Sequence, residues 1–220
     1  RKKDYPKAIA DYTAALKLNG NSANAFHQRG FAKHDSGDYD GAIADYNNAI
    51  RLAPKNEEYY VSRADTWRAK SDWDQAIADE NAALAIAPKN VGALGGRGEA
   101  YRQKGDLVKA RADFDAAIAL LPTYAWGLNA RRSLSYAQKD YDRAIADGDA
   151  AANAAPTSAY YQNEKCWMRA VANKGLDIAR AACDAAINLD PSHHYYDSRG
   201  MVGLKQGRFA EALADYETAV

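Results

Sequence analysis

The chain has 220 residues and carries 29 basic and 29 acidic side chains, so its formal net charge is zero and the basic excess of a nucleic-acid binder is missing. Hydrophobic residues reach 47%, yet there are 4 Phe and 2 Met. Ala dominates, which suits closely packed helices better than a thick globular core. No apolar run approaches the ~20 residues that span a bilayer, and no leader peptide is visible.

Read from the N-terminus, the chain repeats itself every 34 residues, the step from Ala8 to Ala42. One column holds Ala8, Ala42, Ala76, Ala110, Ala144 and Ala212, interrupted at Ile178. A second holds Asp11, Asp45, Asp79, Asp113, Asp147 and Asp215, and a third runs from Ala15 to Ala219 without a break. Arg29, Arg63, Arg97, Arg131 and Arg199 recur as well, as do Pro54, Pro88, Pro122 and Pro156. Arg1–Ser22 reads as the tail of one unit. Ala23–Asn56, Glu57–Asn90, Val91–Tyr124, Ala125–Ser158 and Ala159–Ser192 are five full units, and His193–Val220 is a truncated seventh. The whole of 1–220 is expected to form one solenoid, and its partial end units suggest either a fragment of a longer protein or disorder beyond them.

Each unit predicts two helices. In the first full unit these are ANAFHQRGFAKHDSG and YDGAIADYNNAIRLAPKN, the second with apolar residues at helical spacing (Ala42, Ile43, Tyr46, Ala49, Ile50). Gly37 lies between them, where a tight turn needs a permissive backbone, and Pro54 stops the second helix. Small residues such as Gly30 and Ala42 mark the close approach of the two helices, and Tyr46 should fill the space against the following unit. Arg29 and Asp45 stand at matching distances from Gly37, so the two columns are expected to pair as a partly buried ladder. Lys165 and Ala181 leave both columns in the same unit, as pairing requires. The pattern breaks most in the last two full units. Arg132 and Cys166 replace the small residue, Gly148 replaces the aromatic as Glu80 already does in Glu57–Asn90, and the late Gly175 suggests a slipped turn and irregular packing over Ala159–Ser192.

A unit of this length with Gly30, Ala42, Tyr46, Ala49 and Pro54 in this order resembles the tetratricopeptide repeat. The resemblance implies an all-α, right-handed superhelical solenoid of antiparallel helix pairs, whose first helices line a concave face. That face would carry Asn24, His27, Phe31 and His34 in the second unit, then Glu58, Val61, Asp65 and Arg68. It continues with Gly92, Gly95, Glu99 and Arg102, then Trp126, Asn129, Ser133 and Tyr136, then Tyr160, Asn163 and Trp167. It ends with His194, Asp197, Met201 and Lys205. Aromatic anchors gather toward its later part, Arg68 and Arg102 are expected to hold a carboxylate or a backbone carbonyl, and Gly92, Gly95 and Gly96 are expected to open space. Some members of this family clamp the C-terminal carboxylate of a heat-shock chaperone with Lys and Asn. Here His27, Phe31, Val61 and Asp65 stand at such places, so that partner is not carried over. The segment NEKCWMRAVANKGLDIARAAC also resembles units of bacterial members.

Cys166 and Cys183 flank Gly175 at nearly equal distances, so a hairpin brings them to one height. They form either a disulfide, implying a periplasmic or secreted setting, or two reduced thiols in a small-residue contact, as in a cytoplasmic protein. No phosphate loop, nucleophile elbow or zinc-protease motif occurs, and the adjacent His193 and His194 diverge on a helix. The expectation is therefore a non-enzymatic scaffold, without cofactor or metal, that holds a peptide segment of a partner protein. Self-assembly through the terminal repeats, or regulation of a catalytic part elsewhere in a longer protein, are the alternatives.

Overall fold

The small-residue and aromatic columns dictate the architecture, because each helix buries one stripe against its hairpin partner and another against the next pair. The computed structural model describes residues 4–220, so Arg1, Lys2 and Lys3 of the partial first unit lie outside the described residues. The described residues form thirteen α-helices and no strand. The chain divides into two compact units, one ending at Leu120 and the other spanning Leu121–Val220.

The first unit holds α1 (Tyr5–Leu18), α2 (Ala23–Asp35), α3 (Tyr39–Leu52), α4 (Glu57–Ala69), α5 (Trp73–Ile86), α6 (Val91–Gln103) and α7 (Leu107–Leu120). The second holds α8 (Ala125–Ala137), α9 (Tyr141–Ala154), α10 (Ala159–Ala172), α11 (Leu176–Leu189), α12 (His193–Lys205) and α13 (Phe209–Ala219). Within each unit consecutive helices pack as hairpins. The first helices of neighbouring hairpins also touch, α2 with α4 and α4 with α6 in one unit, α10 with α12 in the other.

Local chemistry starts and stops these helices. Asp4, Asp38, Asp72 and Asp140 each accept a hydrogen bond from the backbone N–H three residues on, capping α1, α3, α5 and α9. The hairpin turns pass through a left-handed residue at one repeat position: Gly37 (φ 88°), Ser71 (61°), Gly105 (82°), Lys139 (58°), Asn173 (53°) and Gly207 (74°).

The hairpin core follows a small-against-large rule. A Cβ added to Gly30 would lie 2.8 Å from Tyr46, one on Gly98 2.8 Å from Phe114, and one on Gly200 3.0 Å from Tyr216. Tyr46 and Phe114 are buried. The α8–α9 hairpin reverses the rule: Arg132 supplies the bulk and Gly148 the space, with Arg132 Cδ 3.3 Å from where a Gly148 Cβ would stand. In the α4–α5 hairpin the pair is Ala64 and Glu80, both buried.

The Arg and Asp columns meet as bidentate forks. Arg29 donates Nε and Nη2 to Asp45 at 2.8 and 2.6 Å, and Arg63–Asp79, Arg97–Asp113, Arg131–Asp147 and Arg199–Asp215 repeat this. The remaining Nη1 reaches the preceding hairpin: Arg29 to Thr13 (3.1 Å), Arg63 to Asn47, Arg97 to Asn81 (2.7 Å) and Arg199 to Asp184 (2.8 Å). Each of these four arginines thus closes its own hairpin and ties it to its neighbour. In the hairpin without the pair, Arg169, one turn beyond Lys165, forks onto Asp149 of α9.

That hairpin is displaced rather than irregular. Asn173 keeps the left-handed turn in step with Gly37, and Gly175 (φ 59°) adds a second left-handed residue before α11. α10 has 14 residues where α2, α4, α6, α8 and α12 have 13, and α11 begins correspondingly late. Ala179 and Ala186, both buried, therefore take the places that counting gives to Ile178 and Ala185, and Ile178 is exposed. The same one-residue shift puts Cys183 in the aromatic column opposite Cys166. The two are disulfide-bonded, with Cα atoms 5.3 Å apart, amid Ala170, Ala179, Ala182 and Val202.

Candidate binding face

Most of the charged residues on the first-helix face of the first unit are already committed. Arg68 donates Nη1 to Glu80 at 2.6 Å and Nη2 to Asp65. Arg102 forks onto Glu99 at 2.8 and 2.6 Å, and Gln103 donates to the same carboxylate. Hydrogen bonds and charge from Arg102 outweigh burial and hold Glu99 below its ordinary value. Neither arginine offers a bare charge to an incoming carboxylate, contrary to the sequence expectation. Gly95 and Gly96 are buried and open no groove, and Gly92 is exposed. A Cβ on Gly96 would collide with Arg68 and Glu80, so this glycine makes room for the buried Arg68–Glu80 hydrogen bond beneath α6.

His27 is buried between helices. It is 4% exposed, its Nε2 lies 2.9 Å from Ser62 Oγ, and Tyr59 and Tyr46 rings stand 4.8 and 5.7 Å away. Burial lowers its pKa. It joins α2 to α4 and presents no surface to a partner. Phe31, 47% exposed, borders a shallow depression of about 100 Å³ with His34, Asp35 and Asp65, and Glu58 is exposed.

The second unit has a wider concavity on this face. A groove of about 410 Å³ runs across α8, α10 and α12, lined by Ser133, Tyr136, Asn163, Trp167, His194 and Asp197 together with Arg132, Glu164 and Ser198. The Tyr136 and Trp167 rings are 5.1 Å apart and tilted by 58°. Arg132, 6% exposed, donates Nε to Asn129 Oδ1 at 2.9 Å and pairs through Nη2 with Glu164. Asn129 also donates to Tyr160 Oη at 3.2 Å. Tyr160 and Trp126 are half-exposed but stand outside the groove, Tyr160 against Tyr161 and Trp126 against Tyr124 at 5.8 Å.

Sequence reasoning therefore missed Arg132, Glu164 and Ser198. The available signal was reciprocal: a large residue in the small column at Arg132 with a glycine in the aromatic column at Gly148. Among the described residues no helix is long and apolar enough to cross a membrane, and no cluster of His, Cys, Asp and Glu could hold a metal ion.

Comparison with known proteins bears on the fold. A family model described as TPR repeat matches residues 32–67, and one described as tetratricopeptide repeat matches 91–124. No curated protein matches the chain in sequence. A tetratricopeptide repeat protein from Parabacteroides merdae ATCC 43184 is 21% identical over 99% of this chain and 86% of its own, with a TM-score of 0.71. A thermophilic TPR protein of Thermus thermophilus is 20% identical over 88% of this chain and 100% of its own, with a TM-score of 0.64. The first TPR of Spaghetti (RPAP3), bound to the HSP90 peptide SRMEEVD, is 26% identical over 53% of this chain and 93% of its own, with a TM-score of 0.52. Two of its repeats are matched by the tetratricopeptide models and its helix pairs fold as in these structures, so the chain carries tetratricopeptide repeats and is an all-α helical-repeat solenoid.

Proposed function

We propose that this protein is a non-enzymatic interaction module that holds a peptide segment of a partner protein in the groove across α8, α10 and α12. One observation carries the reading: a groove of about 410 Å³ in which the Tyr136 and Trp167 rings stand beside polar groups of three successive hairpins. Aromatic anchors in a preformed concavity are where binding energy concentrates. Support also comes from a peptide-bound structural relative. In the first unit Arg68, Glu99 and Arg102 are internally paired and His27 is buried, which leaves Phe31, Glu58 and Asp65 as exposed members of its predicted set.

Peptides selected on the intact protein from a random display library test this. Tyr136→Ala and Trp167→Ala should each weaken their capture by about tenfold or more, equivalent to about 1.4 kcal/mol, while circular dichroism shows the helices retained. Trp126→Ala, outside the groove, should change capture little. Equal capture by all variants would remove the reading.

A second reading, self-association, has its own observation: Phe209 and Leu213 on α13 are 69% and 60% exposed. Light scattering over a range of concentrations decides it, since a strictly monomeric protein rejects it. The Cys166–Cys183 bond supports residence in an oxidising compartment, periplasmic or secreted. Thiols that alkylate without prior reduction, in protein taken from its native source, would place it in a reducing compartment instead.

A further inference from the structure

Resting on the peptide-binding reading of the α8–α10–α12 groove, we propose that its anchor is a basic side chain. A lysine or arginine of the partner segment lies along the Tyr136 and Trp167 rings and sets its cation beside Asp197.

The charges in the groove point this way. Arg132 is the one arginine or lysine lining it, and its charge is spent: it is 6% exposed, bound to Asn129 and paired with Glu164. Asp197 is exposed, lines the same groove and has no ion-pair partner among the described residues. Counting histidine as neutral, Arg132 stands against Glu164 and Asp197, which leaves one negative charge in excess.

The uncharged lining agrees. Asn163 Oδ1 is enclosed in the wall and receives no hydrogen bond. Ser198 has already given its proton to the His194 carbonyl at 3.3 Å, so its oxygen is left as an acceptor. Acceptors without donors suit an ammonium or guanidinium, which brings donors only. Two aromatic rings 5.1 Å apart supply electron-rich faces for the same cation and an apolar wall for its methylene stem. An acidic anchor would meet Asp197 and Glu164 with like charge and would find Arg132 already occupied.

The test uses the full chain and the library-selected peptides, with each basic residue replaced in turn by norleucine. The proposal expects one Lys or Arg common to the binders, whose replacement weakens binding by about tenfold in the wild type. In Asp197→Asn, a surface change with no ion pair to lose, wild-type peptides should bind more weakly and the norleucine replacement should cost much less. Binders that Trp167→Ala releases, but that carry no sensitive basic residue or depend on an acidic one, overturn the basic anchor while leaving the peptide groove standing. Binders indifferent to both Tyr136→Ala and Trp167→Ala overturn the groove and the anchor together.

Discussion

The α6–α7 hairpin of the first unit and the α8–α9 hairpin of the second solve one packing problem in opposite ways. In the first, Gly98 lets Phe114 lie against α6, so the bulk comes from the second helix and buries completely. In the second, Arg132 on α8 provides the bulk and Gly148 yields the space. Phe114 ends as pure core. Arg132 has a chain long enough to fill the same gap and still deliver a guanidinium to Glu164 at the groove. Two further hairpins vary the same pair, as Ala64 with Glu80 and as the Cys166–Cys183 bond. The contact that holds a hairpin closed is thus also where this repeat acquires chemistry.

The comparison can be broken by changing these pairs. The largest effect should come from Phe114→Ala, which empties a fully buried site and is expected to cost about 3–5 kcal/mol in denaturant unfolding. A small loss would mean that the aromatic is not what closes the hairpin. Replacing both Cys166 and Cys183 by Ser should cost about 3 kcal/mol, the worth of closing a loop of this size, and calorimetry should place the change in the second unit. Gly98→Val puts methyl groups against Phe114 and should cost about 2 kcal/mol by overpacking.

The Ala64–Glu80 pair sharpens the comparison through pH. Burial pushes the Glu80 carboxyl from 4.5 up to about 9, opposed by Arg68, and one of its oxygens has no hydrogen-bond partner. The folded protein therefore keeps the Glu80 proton across a range where the unfolded chain has released it. The contribution is favourable below the unfolded value and declines as pH rises toward about 9. Denaturant titrations near about pH 5 and about pH 8 should show a smaller loss of stability with pH in Glu80→Gln than in the wild type. Identical slopes would contradict the assignment.

The period, the two helices per unit and the Arg–Asp forks were legible because each rests on residue identity at a fixed step. Asp45 and Arg29 need only their positions to find each other. Counting failed where the chain gained a residue in one turn and recovered it in the next linker. Columns of identical letters cannot reveal that Ala179, not Ile178, is buried. The site was half legible. Tyr136, Asn163 and Trp167 follow from helix phase, but His27 and Arg68 share that phase and are consumed by Ser62 and Glu80. Whether an outward-phased residue is free depends on its neighbours' side-chain lengths, which a single helix pattern does not contain.

The measurement that bears most directly on the origin of the groove is peptide affinity in the double variant Arg132→Gly with Gly148→Tyr, beside its thermal unfolding curve. This pair restores the small-against-aromatic contact seen at Gly30 and Tyr46. A cooperative unfolding transition together with a loss of library-peptide binding of about tenfold or more is the expected result. A folded double variant that binds those peptides as tightly as the wild type would contradict it.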